Sequence, residues 1–310
     1  MPDYDALLDD EILAFLARSD RIAPKTPGLS VAERRANFDR LWRNFRELSP
    51  ESVTSVSETW AGVPCRSYTS GPDAFTVVFF HGGGWVIGGL DSHDDLCSEL
   101  CARTGARVVA VDYPLAPETV FPGCFEASFA AFSEIADAAD GAVLVAGDSA
   151  GGNLAAAIAH ADRKENAGRI AGQLLIYPVL GLATARETPV ENAEAPGLTQ
   201  ADMRFFWEAR CGGPAFGGDA RLAPLEDSDF SGLPPTVILT AEFDPLAEEG
   251  REYAAALTNA GVKVALVEEA GLVHGHLRAR RMSSRAKASF ERMVASLIAL
   301  GHGDWPVPGL

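Results

Sequence analysis

The sequence predicts an α/β fold in which a mostly parallel central sheet is flanked by helices on both faces. Short segments that are apolar at every position alternate with longer segments of helical periodicity, and such strands are typical of a parallel sheet covered on both sides. A glycine-rich turn joins one of these strands, at 142–146, to an alanine-rich helical segment at 153–160. The chain of 310 residues is long enough for one large core and a smaller cap.

Helices come first along the chain. Apolar residues recur at helical spacing over 6–19 and again over 30–48, where Ser30 is suited to be an N-cap. Because these two helices precede every predicted strand, we expect residues 1–48 to form the N-terminal part of a helical cap.

The strands begin after Pro50. Segments 52–60 and 63–68 are of β type and are expected to form an antiparallel pair. Further strands are predicted at 75–80, 108–111, 142–146, 170–177, 237–241 and 262–267, with helices at 94–102, 122–138, 153–167, 246–260 and 282–300. These elements assign the core to residues 49–180 and 233–310.

Residues 181–232 interrupt the alternation because they contain no predicted strand. A helix begins there after Thr199, which is suited to be its N-cap, with Asp202 three residues further on. A segment inserted into a sheet of this type lies above the carboxyl ends of the strands, where ligands bind. We therefore predict that 181–232 completes the cap that residues 1–48 begin.

The composition limits the partners and the compartment. Lys and Arg total 26 against 43 Asp and Glu, a formal charge of −17, so we expect neither a nucleic-acid nor a membrane partner. The acidic N-terminus lacks the pattern of a signal peptide, and no apolar run reaches the roughly 20 residues that span a bilayer. The expected location is the cytoplasm.

The five cysteines are too scattered for a disulfide framework, which also fits a reducing compartment. Cys97 and Cys101 are one helical turn apart, but no second cysteine or histidine pair completes a four-ligand metal site. We predict buried thiols, no metal and no cofactor.

The turn 147–151 reads G-x-S-x-G, with Ser149 at its apex between a strand and a helix. This arrangement is typical of a nucleophile elbow, in which the glycines permit a bend tight enough to expose the serine hydroxyl. The motif alone is ambiguous, because glycine-rich turns after strands also serve nucleotide binders. Its assignment depends on a base and an acid further along the chain.

A serine needs a base, and the base needs an orienting group. His274 is the preferred base because its loop follows the last predicted strand; His276 is the alternative in the same loop, whereas His160 and His302 lie in or beyond helices. Asp244, which follows the strand at 237–241 and precedes a proline, is the preferred acid. Glu242 and Glu248 are weaker candidates for the acid, and Asp244 could instead cap the next helix.

Acyl transfer also needs N–H donors for the oxyanion. Three successive glycines follow the strand at 75–80, and they allow the backbone N–H groups to turn toward a substrate. A phosphate-binding loop is the rival reading, weakened by the lack of a lysine–serine/threonine pair. The expected donors are the N–H groups of Gly83, Gly84 and Ala150.

The combination resembles the hormone-sensitive lipase-like group, or family IV, of the α/β-hydrolase superfamily. The segments that carry the resemblance over roughly residues 50–300 are H-G-G-G-W at 81–85, D-Y-P-L-A-P-E at 112–118, G-D-S-A-G-G at 147–152, D-P-L at 244–246 and H-G at 274–275. The resemblance implies a capped α/β-hydrolase fold and a carboxylesterase whose triad is Ser149, Asp244 and His274. It also implies that His81 braces the glycine loop.

Four positions depart from the family pattern. Pro114 replaces an arginine, which removes any charge bracing of its loop, and His276 replaces a phenylalanine, which could alter the pocket or the pH profile. Ala247 and Glu248 stand where arginine and aspartate are common. None of these changes removes a predicted catalytic group.

The leading hypothesis is a serine carboxylesterase for short- to medium-chain acyl esters. Four aromatic residues are candidates for the substrate pocket, although packing of the cap would account for at least half of them: Trp85, Phe205, Phe206 and Trp207. The alternatives are an arylformamidase or amidase that uses the same triad, and a non-catalytic ligand receptor. The oligomeric state stays open, with a homodimer as one candidate.

Overall fold

The computed structural model describes residues 2–24, 26, 28–185 and 190–305. Parts of the predicted segments therefore lie outside the described residues, namely residues 1, 25 and 27 of the N-terminal cap segment, 186–189 of the insertion and 306–310 of the second core segment.

Eight strands form one sheet in the described part of the chain. They are β1 (Thr54–Trp60), β2 (Val63–Thr69), β3 (Thr76–Phe80), β4 (Arg107–Val111), β5 (Val143–Asp148), β6 (Ile170–Ile176), β7 (Thr236–Phe243) and β8 (Val264–Val273). Their spatial order is β1-β2-β4-β3-β5-β6-β7-β8. The β1–β2 and β2–β4 pairs are antiparallel and all others are parallel, which confirms the predicted α/β fold with its mostly parallel sheet.

The α-helices of the described residues surround this sheet. They are α1 (Tyr4–Leu7), α2 (Asp10–Ile22), α3 (Val31–Phe45), α4 (Asp94–Thr104), α5 (Gly123–Ala138), α6 (Ala150–Lys164), α7 (Gln200–Cys211), α8 (Ala247–Asn259) and α9 (Ser284–His302). None of these helices combines the length and the apolarity that crossing a bilayer would require.

Apolar side chains alternate between the two faces of the sheet. Along β3, Val78 and Phe80 face a layer that includes α5, α6 and α8, whereas Val77 and Phe79 face a layer that includes α4 and α9. Both faces of each central strand are thus buried, and this explains why these strands are apolar at every position.

A third apolar cluster joins the N-terminal helices to one end of the sheet. Ile12 and Phe15 of α2 and Phe45 of α3 pack with Phe243 at the end of β7 and Val273 at the end of β8. The helices before the first strand therefore lie at the carboxyl edge of the sheet, where the predicted acid and base follow their strands.

Among the element boundaries that differ from the predictions near this edge, two affect the candidate site directly. Helix α6 begins at Ala150 instead of 153, because Ser149 itself makes the turn. Strand β8 extends to Val273 instead of 267, because an irregularity in its register with β7 after Ala241 lets Phe243 pair with Val273. The extension brings the chain directly to His274.

The two predicted cap segments meet through their helices. Capping boxes start α3 at Ser30 and α7 at Thr199. Arg34 of α3 forms an ion pair with Asp202 of α7 at 3.4 Å, and its guanidinium stacks over the ring of Phe205 at 4.1 Å. The division of the chain into cap and core at 1–48 and 181–232 stays a prediction.

Candidate active site

Ser149 connects β5 to α6 in a sharp turn. Its φ of 54° and ψ of −118° are unusual for a residue other than glycine, and such conformations cost on the order of 1–3 kcal/mol. A Cβ at Gly151 would collide with the carbonyl of Phe80 in β3, and a Cβ at Gly147 would collide with the backbone of Gly151. The two glycines of the motif are therefore required by close backbone packing at the elbow.

The structure brings Ser149, His274 and Asp244 together in a hydrogen-bonded series. The Nε2 atom of His274 is 2.9 Å from the Ser149 Oγ, and its Nδ1 atom is 2.6 Å from the Asp244 Oδ2. The second oxygen of Asp244, Oδ1, accepts the backbone N–H of Leu246 at 2.9 Å. Both oxygens of the Asp244 carboxylate are therefore bound. One holds the backbone just before α8, and the other orients the ring of His274.

The other candidates for base and acid have different surroundings. His160 is buried between Asp227 and Tyr253, at 2.7 and 2.9 Å. Glu242 is exposed and accepts the backbone N–H of Gly271, and Glu248 is paired with Arg251 on the surface. The remaining histidine beyond the core strands, His302, packs its ring on Phe75.

His276 lies in the interior of the protein, next to Tyr177. It is fully buried, with Nδ1 3.0 Å from the carbonyl of Val273 and Nε2 3.0 Å from the hydroxyl of Ser289. Burial lowers the pKa of His276 to about 4, so the ring is neutral at pH 7. Its ring makes a T-shaped contact with Tyr177, whose ring also contacts His274.

The loop after β3 presents backbone N–H groups beside the elbow. Gly83, Gly84 and Trp85 have φ values of 125°, 59° and 60°, the region that favours glycine. The loop closes on itself through the N–H groups of Val86 and Ile87, which donate to the carbonyl of Gly83. Among the described residues, no backbone carbonyl accepts the N–H of Gly83 or Gly84.

Ala150 supplies a further N–H in the same region. Ala150 is the first residue of α6, so its N–H has no acceptor within the helix. This N–H lies at the positive end of the helix dipole. Ser149 itself donates its N–H to the carbonyl of Ile176 at 2.8 Å, and this bond anchors the elbow to β6.

Asp148 anchors the glycine loop to the elbow. Its Oδ1 accepts the N–H of Gly82 at 2.8 Å and lies 3.2 Å from the Nε2 of His93. Burial alone would raise the pKa of Asp148, but His93 and the Gly82 N–H lower it to about 2. The carboxylate is therefore charged at neutral pH. Through it, Asp148, which directly precedes Ser149, holds Gly82 at the start of the glycine loop.

His81 braces the same loop from below, in the role that the family resemblance implies for it. The ring is buried, stacks on Tyr113 with centroids 4.3 Å apart, and lies with Nδ1 2.8 Å from the carbonyl of Gly82. Burial lowers the pKa of His81 to about 4, which keeps the stacked ring neutral.

Two of the four predicted pocket aromatics are core residues in this structure. Trp85 and Trp207 are buried, and the guanidinium of Arg210 lies 3.9 Å from the Trp85 ring and 5.4 Å from the Trp207 ring. The contacts with Arg210 support a packing role for both indoles, and their assignment to the substrate pocket stays a prediction.

The two phenylalanines of α7 lie nearer the glycine loop. The ring of Phe206 packs directly against Gly84 and leaves no room for a side chain there. The ring of Phe205 is partly buried under Arg34. Phe206 thus contacts the glycine loop directly at Gly84.

Two arginines near the site were not predicted. Arg210 is buried in the aromatic cluster, and Arg35 reaches from α3 to the segment that follows the glycine loop. Arginine at helical positions is common on solvated surfaces, so the sequence carried no local signal for either role.

All five cysteines are free thiols, and the described residues contain no group of three His, Cys, Asp or Glu suited to a metal ion.

Comparison with known proteins places this geometry in a family. A family model described as the α/β-hydrolase fold matches residues 77–278. The chain is 38% identical over 264 residues to the carboxylesterase NlhH of Mycobacterium tuberculosis, a match that covers 81% of this chain and 82% of that protein. It is 31% identical over 317 residues to an ethyl acetate hydrolase of Pseudomonas putida, covering 94% and 98% of the two chains.

Solved structures agree. The hyperthermophilic esterase of the archaeon Pyrobaculum calidifontis superimposes with a TM-score of 0.85 at 29% identity, covering 95% of this chain and 99% of the esterase. The family match spans more than half of the chain, and the relatives cover most of its length. The chain therefore belongs to the α/β-hydrolase family, in its hormone-sensitive lipase-like carboxylesterase group.

Proposed function

We propose that this protein is a serine carboxylesterase that hydrolyses short- to medium-chain acyl esters through an acyl-enzyme on Ser149. The observation that carries the proposal is the series Ser149 Oγ, His274 Nε2, His274 Nδ1, Asp244 Oδ2, with heavy-atom distances of 2.9 and 2.6 Å across its two hydrogen bonds. Both distances are within the range for proton transfer between a nucleophile, its base and the orienting acid.

In the acylation half-reaction, the Ser149 Oγ attacks the ester carbonyl carbon while its proton moves to the Nε2 of His274. The carbonyl oxygen becomes an anion, which the N–H groups of Gly83, Gly84 and Ala150 stabilise. The C–O bond to the alcohol then breaks, and His274 gives its proton to the departing alkoxide. The products of this half are an acyl ester on Ser149 and a free alcohol.

In the deacylation half-reaction, water replaces the alcohol at the same base. His274 takes a proton from the water, whose oxygen attacks the acyl carbon, and the same N–H groups hold the second oxyanion. The bond to the Ser149 Oγ breaks and the proton on Nε2 returns to the serine, which releases the carboxylic acid. Asp244 holds the ring of His274 in place and stabilises the imidazolium that forms twice in the cycle.

The limited space above the serine supports a small acyl group. Ser149 is 7% exposed, and Phe206 of the predicted cap lies against Gly84. The name of the Pseudomonas putida relative, an ethyl acetate hydrolase, points to small esters in that protein. A cap that lies so close to the oxyanion loop disfavours polymeric substrates.

The test is steady-state hydrolysis of p-nitrophenyl esters from acetate to long acyl chains, with Ser149→Ala as the control. We expect turnover that peaks at short to medium chains and falls to the background rate in Ser149→Ala. Equal rates for the two proteins would refute the proposal. Matched aryl ester and aryl formamide substrates distinguish the esterase from the formamidase, and an unreactive protein that binds the esters would favour a receptor.

The finer predictions about location and assembly are proposals that rest on composition. We propose a cytoplasmic enzyme, and fractionation of the native host tests this location. Light scattering after size-exclusion chromatography decides between the homodimer and a monomer.

A further inference from the structure

One arginine of α3 reaches across to the backbone next to the glycine loop. Arg35 donates from Nε to the carbonyl of Val86 at 2.8 Å and from Nη2 to the carbonyl of Ala116 at 3.1 Å. Its Nη1 and Nη2 atoms also form a two-pronged ion pair with Glu118, at 2.7 Å for each oxygen. One guanidinium thus joins α3 to two separate segments of the core.

Both carbonyls belong to residues whose own N–H groups are bonded to the glycine loop. Val86 donates its own N–H to the carbonyl of Gly83, and Ala116 donates its N–H to the carbonyl of Trp85 at 2.8 Å. A displacement of Val86 or Ala116 would therefore move the turn that contains Gly83 and Gly84.

This loop needs support from outside. Gly83, Gly84 and Trp85 are consecutive residues with positive φ, so the turn has two glycines of high conformational freedom and one strained tryptophan. Asp148 holds one end of the turn through Gly82. The other end has the contacts of Arg35.

The sequence of the segment 112–118, which contains Ala116 and Glu118, makes the contact with Arg35 more significant. The segment 112–118 carries Pro114 in place of the arginine that the family pattern has there, and this substitution removes a charge from the loop. In this structure the segment 112–118 nevertheless contacts a guanidinium, that of Arg35 from α3.

We infer that Arg35 is a positioning residue for the oxyanion hole, which holds the Gly83–Gly84 turn in register with Ser149 through the carbonyls of Val86 and Ala116. The inference rests on the proposed function and goes beyond it, because it assigns a role in the reaction to the N-terminal helix. Arg35 touches no reacting atom; it acts through the backbone of the loop.

The partial exposure of the pair determines the design of the test. The side chains of Arg35 and Glu118 are 32% and 61% exposed, and exposed ion pairs contribute little to global stability. A role in positioning therefore predicts a loss of turnover that exceeds the loss of stability. Arg43, an exposed arginine of the same helix that stacks on Trp42, offers a matched control.

The first experiment compares Arg35→Met with Arg43→Met on the preferred p-nitrophenyl ester. We expect kcat of Arg35→Met to fall by about 10- to 100-fold, somewhat less than the loss of an oxyanion donor, with KM changed by less than about threefold. A boronic acid, which forms a tetrahedral anion on the serine, should bind more weakly by a similar factor. Melting temperatures of the two variants should match.

Arg35→Lys and Glu118→Gln separate the contacts. Lysine keeps the charge beside Glu118 but lacks the planar fork that serves several acceptors, so its kcat should fall nearly as far. Glu118→Gln leaves both carbonyl contacts in place and should keep kcat within about threefold. If Arg35→Met does not fold, the contrast between these two variants still decides the question.

The failures are distinguishable. If the unsubstituted protein is active and Arg35→Met matches Arg43→Met in kcat and in boronic acid affinity, the positioning role is wrong and the esterase stands. If the unsubstituted protein neither hydrolyses esters nor binds the boronic acid, both proposals are wrong. If it binds the boronic acid without hydrolysis, and binds it more tightly than Arg35→Met does, only the positioning role stands.

Discussion

The ring of Phe206 lies directly against the backbone of Gly84. A Cβ built at Gly84 would overlap the Cγ and Cδ atoms of this ring, and the φ of 59° at Gly84 independently favours glycine. Phe206 belongs to α7 of the predicted cap, and Gly84 belongs to the loop after β3. The cap and the predicted oxyanion hole therefore share a surface, and the size of residue 206 should influence which esters fit.

Phe206→Ala should shift the substrate preference toward bulkier esters. Removal of the ring opens space beside Gly84, so the ratio of kcat/KM for a longer acyl chain to that for acetate should rise by about 10-fold, the scale at which pockets discriminate methylene groups. The ester series measures this ratio. Phe205→Ala is the control because its ring lies under Arg34. A uniform fall across all chain lengths would contradict the assignment of Phe206 to the pocket.

Asp244→Asn should abolish most of the activity without unfolding the protein. An asparagine can keep the contact with His274, but it favours the wrong ring tautomer, and such changes lower kcat by roughly 10⁴-fold in serine hydrolases. Kinetics on the preferred ester check this, with circular dichroism to verify the fold. Glu242→Gln alters an exposed carboxylate near the end of β7, two residues before Asp244, and should retain activity within about threefold. If the two variants exchanged these results, Glu242 would be the acid.

Glu249 should make the protein less stable as the pH rises. Its carboxylate is buried and accepts the N–H groups of Leu180 and Gly181 at 2.9 Å, and burial raises its pKa to about 7. Because the folded pKa is above the unfolded value of about 4.5, the stabilising contribution of the protonated group is complete below pH 4.5 and is lost as the pH rises through 7. The full difference is on the order of 3 kcal/mol.

Glu249→Gln tests this dependence, since the neutral amide cannot ionise. Urea denaturation gives the free energy of unfolding of both proteins at each pH. The value for Glu249→Gln minus the value for the unsubstituted protein should increase from pH 5 to pH 9. Glu252→Gln, at an exposed position of the same helix α8, should show no such trend. Parallel stability profiles for the unsubstituted protein and Glu249→Gln would rule out the buried carboxylate as the source.

His276 should affect acid stability and leave the pH profile of the reaction unchanged. Its folded pKa of about 4 is below the unfolded value of about 6.5, so its contribution is present above pH 6.5 and is lost as the pH falls toward 4. The double variant His276→Phe, Ser289→Ala removes both partners of the histidine–serine hydrogen bond. Its free energy of unfolding should fall less steeply than that of the unsubstituted protein between pH 6.5 and pH 4. An altered acid limb in kcat/KM for this double variant would instead place His276 in the reaction.

The sequence was sufficient for the elbow and for the order of the three predicted catalytic residues. Gly147 and Gly151 flank Ser149 because the backbone of the elbow packs too closely for side chains, and this local requirement is visible as a motif. Asp244 and His274 follow two strands that neighbour each other in a parallel sheet, so their proximity follows from the strand pattern. The family resemblance, confirmed by the comparisons, rests on these same segments.

The roles of Trp85, Trp207 and His276 depended on packing that no pattern reports. An aromatic residue next to a glycine loop can face a ligand or the core, and the buried guanidinium of Arg210 places the two indoles in the core. A histidine two positions after His274 can likewise face the serine or the interior. The hydrogen bonds to Val273 and Ser289 turn His276 to the interior.

The sequence by itself determined the fold class, the nucleophile elbow and the serine–acid–histidine order, because glycine geometry and strand alternation are local properties written in neighbouring residues. Only the tertiary structure decided which distant side chains support that site. Arg35, Phe206 and Arg210 reach the site from helices. At each of these positions many residue types would fit the helical pattern equally well, so the pattern does not reveal the contact. Such contacts depend on how the helices pack on the sheet, and packing is a property of the folded chain as a whole.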